Sequence, residues 1–348
     1  MSPSTPYLVV DRDVLDRNVT AMAATARARG LDLRPHAKTH KCAEIARRQL
    51  AAGAVGLTVA TVGEAEVFAD AGCADLLVAY PLWVDAARGA RVRALAERVT
   101  LAVGVESVEG AQALARHAGA VAVLVEVDSG HHRTGVAPPE AGAVAVAAQR
   151  AGLRVRGVFT FPGHGYGPGV ATAAAADETA ALRRAAAEVR AAGVEIEVLS
   201  GGSTPTAALT SADLTEMRPG VYVFHDAQQW ELGTCTPDAV ALTVAATVVS
   251  RRPGHVVLDA GSKALGADRP AWTTGAGRLL DAPDARVVAL SEHHATVTWP
   301  GRAPAPGAVV RVVPNHVCQA VNLADTLTVV AGGSVVDTWA VAARGANS

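Results

Sequence analysis

The chain has 348 residues, 50% hydrophobic and 18% charged, so it can bury a large core; its length fits two domains or one barrel with an appendage. A net charge of −2 without any Lys/Arg block excludes the usual electrostatic footprint of a nucleic-acid or anionic-membrane partner. The four cysteines, Cys42, Cys73, Cys235 and Cys318, form no C-x-x-C pair, which argues against a disulfide framework or a zinc ribbon. Met1–Tyr7 has neither a cationic nor an apolar leader segment and no run is long enough to span a membrane, so a cytoplasmic protein is expected.

A helical pattern over Asp11–Arg29 (Val14, Leu15, Val19, Met22) ends at Gly30. Eight short apolar runs follow: Leu31–Arg34, Val55–Ala60, Leu76–Tyr80, Thr100–Val105, Val121–Val127, Val155–Phe161, Ile196–Ser200 and Met217–Val223. Alanine-rich helical stretches lie between them, at Glu64–Ala71, Ala86–Glu97, Val108–His117, Glu140–Ala151 and Thr172–Ala192. Apolar strands alternating with helices predict a parallel sheet covered on both faces, and eight such units predict a (β/α)8 TIM barrel; an open doubly wound sheet is the alternative. The pattern changes near Gln228–Pro237. Beyond it lie short apolar runs separated by Gly, Pro and Asp, with no helix-length segment, as in an all-β domain. The expected division is therefore a barrel over residues 11–230 and a β domain over 231–348, with residues 5–10 adding a strand to the latter.

In a barrel, residues past the C-terminal ends of strands carry the chemistry. After the first run, Lys38 lies among His36, His40 and Lys41. Crowded cations favour the neutral amine that a Schiff-base lysine needs, although a solvated Lys on a basic turn fits the same letters. Asp128-Ser-Gly-His-His-Arg-Thr-Gly135 follows the fifth run; Arg133 suits an anionic cofactor oxygen or a salt bridge to Asp128 or Glu126. Pro162-Gly-His-Gly-Tyr166 follows the sixth, with His164 and Tyr166 facing a cofactor or substrate, or merely lying in a flexible loop. Gly201-Gly-Ser-Thr-Pro-Thr206 is expected to open a short helix whose N–H groups and hydroxyls cradle phosphate; an ordinary Ser/Thr N-cap with Pro near N1 reads identically. A lysine and a phosphate cradle on one rim together suggest pyridoxal 5′-phosphate. In the β domain, His316 and Cys318 share one face if extended, as two ligands of a divalent ion would, or else are a packed His and a buried Cys. Imidazole plus thiolate favours zinc, with manganese the other candidate. Lys263 and His293 end polar turns that either reach the barrel rim or are solvated hairpin ends.

Five motifs occur in order: Pro35-His-Ala-Lys-Thr-His40, Asp128–Gly135, Gly202-Ser-Thr-Pro-Thr206, Arg218-Pro-Gly-Val-Tyr222 and Pro314-Asn-His-Val-Cys318. Together they resemble the metal-activated, fold-type III pyridoxal-phosphate enzymes of the D-serine dehydratase and D-threonine aldolase group, which share the alanine racemase barrel. The resemblance covers nearly the whole chain. It implies that Lys38 forms the Schiff base and Arg133 bonds the cofactor's phenolic oxygen. Gly202, Ser203 and Thr204, with the Gly220 and Val221 backbone and neighbouring Tyr222, would hold the phosphate. Tyr166 or Arg218 would partner the pyridine nitrogen, and His316 with Cys318 the metal. It further implies a homodimer and a small D-amino acid substrate.

Two positions depart from the group's pattern: Glu106, where Asp is frequent, and Phe161, where His is common. Cys at the second metal position is the dehydratase tendency and Asp the aldolase tendency. The expected activity is thus elimination from D-serine or D-threonine to a 2-oxo acid and ammonia, with Lys38 or His164 removing the Cα proton. Retro-aldol cleavage to glycine and an aldehyde is the alternative. A racemase, a decarboxylase or a non-catalytic pyridoxal-phosphate-binding protein is the further one.

Overall fold

A computed structural model describes residues 4–348, so the first three residues of the Met1–Tyr7 stretch lie outside it. The strands are β1 (Tyr7–Asp11), β2 (Asp32–Leu33), β3 (Leu57–Val59), β4 (Asp75–Pro81), β5 (Thr100–Val105), β6 (Ala122–Glu126), β7 (Arg154–Phe159), β8 (Val198–Gly201) and β9 (Glu216–Met217). They continue with β10 (Leu242–Arg252), β11 (His255–Leu258), β12 (Gly277–Leu279), β13 (Ala282–Leu290), β14 (Ala295–Thr298), β15 (Val309–Pro314), β16 (Thr326–Ala331) and β17 (Ser334–Ala340). Contacts divide the chain into two compact units that interleave in sequence. One comprises Met1–Thr20, Thr39–Glu44 and Val221–Gly345; the other comprises Ala21–Lys38, Ile45–Gly220 and Ala346–Ser348. This differs from the contiguous division at residues 230/231. Strand β1 pairs with β10 and β16, and Ala343 donates to the Lys41 carbonyl, which draws the early segments into the β unit.

Eight parallel strands make one sheet in the order β2-β9-β8-β7-β6-β5-β4-β3. Every expected apolar run supplies one, because strands buried on both faces need no polar alternation; all five residues of β6 are buried. The last run is shorter than expected. It pairs only at Glu216 and Met217 and then turns through a 3-10 segment, Val221–Val223. The two end strands of the sheet are joined by a parallel bridge, His36 to Thr58, with Val55 N–H donating to the Leu33 carbonyl and Thr58 N–H to the Pro35 carbonyl. Three of the intervening helices start on side-chain caps: Thr61 accepts from Glu64 N–H, Asp85 from Arg88 N–H and Ser107 from Gly110 N–H.

The other unit contains a nine-stranded sheet, β11-β14-β13-β12-β15-β10-β1-β16-β17, in which β11 also pairs with β10, so six strands close on themselves. Strand β1, Tyr7–Asp11, runs antiparallel to β10 and parallel to β16. Two short helices, Ser262–Leu265 and Val317–Asn322, interrupt what reads in sequence as continuous β structure. Among the described residues no helix is long and apolar enough to cross a membrane.

An ion triad, with Arg34 and Glu216 buried and Asp75 partly exposed, ties the parallel sheet together. Arg34, just past β2, places Nε 2.6 Å from Glu216 of β9 and Nη1 2.6 Å from Asp75 of β4. Both carboxylates hold its charge in place against the penalty of burial. Gly56 must be glycine, since a Cβ there would lie 2.4 Å from Arg34 Nη1. Removing one partner of a buried pair strands the other charge, so Arg34→Ala should destabilise the fold by roughly 3–5 kcal/mol. A lowered denaturant midpoint at unchanged slope would show this; an unchanged midpoint would mean that the triad is dispensable.

Candidate active site

After β2 the chain makes a single 3-10 turn, Ala37–Thr39, fastened by His36 N–H to the Pro219 carbonyl at 3.0 Å. Lys38 rides on this turn half-buried, with Nζ 5.6 Å from the centre of the Phe161 ring. Among the described residues no carboxylate pairs with that amine. Of its sequence neighbours, His40 is turned into the interior, where its Nδ1 accepts from Cys42 N–H at 3.1 Å.

Three further side chains converge on Phe161. Arg133 sets its guanidinium carbon 5.4 Å from the ring centre. His131 meets the ring nearly edge-on, with centroids 5.6 Å apart at 88°, and Tyr166 lies tilted at 5.9 Å. The loops after β2, β6 and β7 thus meet on one benzyl group whose quadrupole attracts two cations. Phe161 itself was read only as a departure from a family pattern; its central place needed the fold.

The loop after β6 is a self-braced structure. Asp128 Oδ1 accepts from Gly130 N–H at 2.9 Å and His132 N–H at 3.0 Å, and Oδ2 pairs with His132 Nδ1 at 2.7 Å. Burial opposes the Asp128 charge, but these donors keep its pKa below the usual carboxylate value. Neither carboxylate considered for Arg133 pairs with it: Asp128 is held by His132, and Glu126 accepts the Thr134 hydroxyl at 2.8 Å. The guanidinium is left exposed over Phe161. His131 packs against Gly163, where a Cβ would come within 2.6 Å of its ring, and His164 against Gly130. Burial, then Arg133 and His164, lower the His131 pKa, favouring its neutral form. His164 Nε2 lies 3.3 Å from Asp177, while its Nδ1 is buried and without a partner among the described residues.

The Gly201–Thr206 stretch does not open a helix. Residues 204–209 form successive turns, and the first two N–H groups already have partners. Gly202 N–H donates to Glu178 Oε1, and Ser203 N–H to Thr206 Oγ1 at 3.0 Å. A cradle of free N–H groups at a helix N-terminus is therefore corrected to a braced turn, at φ +77° for Gly202, presenting the buried Ser203 and Thr204 side chains. Arg218 is buried, not on the rim. Its guanidinium donates to Ser200 Oγ and the Thr160 carbonyl and lies over Phe159, with Gly220 buried nearby in sequence. Val221 and Tyr222 are buried in the 3-10 segment of the β unit.

In that β unit, His316 is the N-cap of Val317–Asn322 and Cys318 lies in its first turn. The pair is therefore not on an extended strand as expected. Burial opposes the His316 charge, but the Cys318 sulfur, the bond to Asp268 and buried Asp226 raise its pKa to about 11. Asp268 engages His316 Nδ1, and Cys318 Sγ lies 3.3 Å from Thr39 Oγ1. Among the described residues no three of His, Cys, Asp and Glu are grouped to hold a metal. Asp268 carries no motif and was not anticipated. Lys263 pairs with Glu292 at 2.6 Å on the surface and His293 is exposed, in keeping with solvated hairpin ends.

Known proteins resemble this chain along its whole length. The alanine racemase N-terminal domain profile matches residues 10–228, and that described as "Putative serine dehydratase domain" matches 241–330. The D-threo-3-hydroxyaspartate dehydratase of Delftia sp. (strain HT23) is 36% identical, covering 96% of each chain. The D-threonine aldolase of Arthrobacter sp. is also 36% identical, covering 98% of this chain and 93% of its own. The solved structure of the Delftia dehydratase superposes with a TM-score of 0.89 at 35% identity over 97% of both chains. With more than half its length matched by one family and full-length relatives above 30% identity, the chain belongs to the alanine racemase N-terminal domain family.

Proposed function

We propose that the chain is a pyridoxal 5′-phosphate- and divalent-metal-dependent lyase of D-β-hydroxy amino acids, and specifically a dehydratase. The observation that carries the cofactor reading is the convergence on Phe161: an amine with no carboxylate partner among the described residues and an exposed guanidinium over one apolar ring. With the braced Gly202–Thr204 turn, this donor set fits an aldehyde, a phenolate and a phosphate in one molecule. We read the eight-stranded parallel sheet, with its ends bridged through His36 and Thr58, as a closed (β/α)8 barrel. Both full-length relatives are named for chemistry on D-configured or β-hydroxy amino acids, and the solved structure of a D-threo-3-hydroxyaspartate dehydratase variant is described as a metal-free form.

Pyridoxal phosphate, when bound, supplies an electron sink for a Cα carbanion. Lys38 would offer the nucleophilic amine at Nζ and a base for the Cα proton. Arg133 would hold an anionic oxygen by charge-assisted hydrogen bonds. Ser203 and Thr204 orient the phosphate through their hydroxyls, and buried Arg218 supports the floor of the site. His316 and Cys318 would hold the divalent ion, zinc by the softness of their donors; that ion supplies Lewis acidity toward a β-hydroxyl. With Asp268 on Nδ1, the His316 ring is oriented to ligate through Nε2, the arrangement by which a carboxylate fixes a ligand's tautomer. A homodimer in the cytoplasm is the assembly and location that go with this reading.

Three outcomes test it. Incubation with D-threonine, pyridoxal phosphate and zinc or manganese should yield 2-oxobutanoate and ammonia. Glycine with acetaldehyde would make the protein an aldolase instead, and activity undiminished in strong chelator would point to a racemase or decarboxylase. Lys38→Ala should carry no cofactor after borohydride reduction, as intact mass would reveal, and should lose roughly 10²–10⁴-fold in rate. Asp268→Ala should weaken metal binding roughly 10–100-fold at unchanged pyridoxal-phosphate content; equal metal affinity would remove His316 from the coordination sphere.

A further inference from the structure

The long helix Ala171–Ala191 buries an apolar stripe, Ala174, Ala175, Ala181, Leu182 and Ala185, and one acid sits in the middle of it. Glu178 is 0% exposed. Its Oε1 accepts the Gly202 N–H, and its Oε2 is buried without a partner among the described residues. The carboxyl also excludes a side chain next door: a Cβ on Gly201 would lie 2.4 Å from Oε1. Gly202 is in the left-handed region, where a Cβ would approach Met217 Cβ to 3.1 Å. An acid in an apolar helical stripe, aimed at a left-handed glycine of the turn, is unexplained by packing alone.

We propose that Glu178 is a positioning residue for the cofactor's phosphate: its carboxyl clamps the Gly202 N–H and thereby fixes how Ser203 and Thr204 are presented. The inference rests on reading the Gly202–Thr204 turn as the phosphate cradle. Locking happens at two successive amides, Gly202 by Glu178 and Ser203 by Thr206, so Ser203 and Thr204 have little freedom left. The clamp is also pH-sensitive. Burial raises the Glu178 pKa to about 7, against the Gly202 N–H and the Arg218 guanidinium, which favour the charge. Glu216 and Glu126 share that guanidinium, and Arg34 faces it as a like charge. Below about pH 7 the clamp is neutral beside the phosphate; above it, an anion repels an anion, so phosphate is held less tightly as pH rises.

The test is equilibrium binding of pyridoxal 5′-phosphate and of pyridoxal, which lacks the phosphate, to the cofactor-free full chain at low and high pH. Glu178→Ala should weaken pyridoxal 5′-phosphate about tenfold or more and pyridoxal less than about twofold. Glu178→Gln keeps a carbonyl acceptor and cannot ionise. It should match the parent at low pH and bind the phosphate ester several-fold tighter than the parent at high pH. If the Ala variant does not fold, the pH profile of the Gln variant decides alone. A Gln variant that follows the parent's pH profile overturns the proposal, as does a folded Ala variant with the parent's affinity. A parent protein that binds both compounds equally overturns the phosphate cradle itself, and the role of Glu178 with it.

Discussion

The parallel sheet is organised by a run of polar side chains, all buried except the partly exposed Asp75. Asp75 of β4 holds Arg34, Arg34 holds Glu216 of β9, and Glu216 accepts the Ser200 hydroxyl of β8 at 2.6 Å. Ser200 in turn accepts from Arg218, which reaches the Thr160 carbonyl past β7, and Thr160 bonds Ser129 past β6 at 2.9 Å. One continuous network therefore crosses from β4, past the meeting point of the sheet's two ends, to the loops that carry the candidate site. In such a low-dielectric interior each member is stabilised only while its partners stay in place. Losing one leaves a buried charge or hydroxyl exposed to the full penalty of desolvation.

That constraint explains how a site built from loops can be well positioned. Thr160 precedes Phe161, and Ser129 sits in the loop that ends in Arg133, so the network fixes the bases of two loops whose tips meet at one aromatic ring. Lys38 and Arg133, two cations, share that ring instead of a carboxylate. Cation–π attraction holds each by only about 0.5–1 kcal/mol at such exposure, weak enough to yield to an incoming anionic ligand. Ion pairing with Asp128 or Glu126 would have masked Arg133; His132 and Thr134 engage those carboxylates and leave it available.

Much of this was legible in the residues. The eight apolar runs all became parallel strands because a strand buried on both faces needs continuous hydrophobicity, an unambiguous pattern when repeated between alanine-rich helices. The motif residues at strand ends were recognisable since Lys, His and Arg beside Gly have no packing reason to cluster. The misreadings have a common cause. Gly202-Ser-Thr-Pro-Thr fits a helix start by its letters, yet Thr206 bonds back to Ser203 and the chain turns instead of propagating. His316 and Cys318 read as extended, but buried Asp226 accepts the Val317 N–H at 3.1 Å and starts a helix there. Both are competitions between local propensity and a tertiary hydrogen bond. Glu178 left a trace in the sequence, an acid inside an apolar helical stripe, whereas Asp268 left none.

What the sequence determined by itself is the class of architecture and the inventory of reactive groups. Periodicity and composition depend on which side chains must avoid water, and that is a property of each segment alone. Which carboxylate meets which cation was decided only in the folded chain. Arg34 and Glu216 are 182 positions apart, and Glu178 and Gly202 come together because one helix packs behind one sheet. The fate of a buried charge is set by partners distant in sequence, so burial, pKa and the shape of the site follow from tertiary contacts that no local pattern encodes.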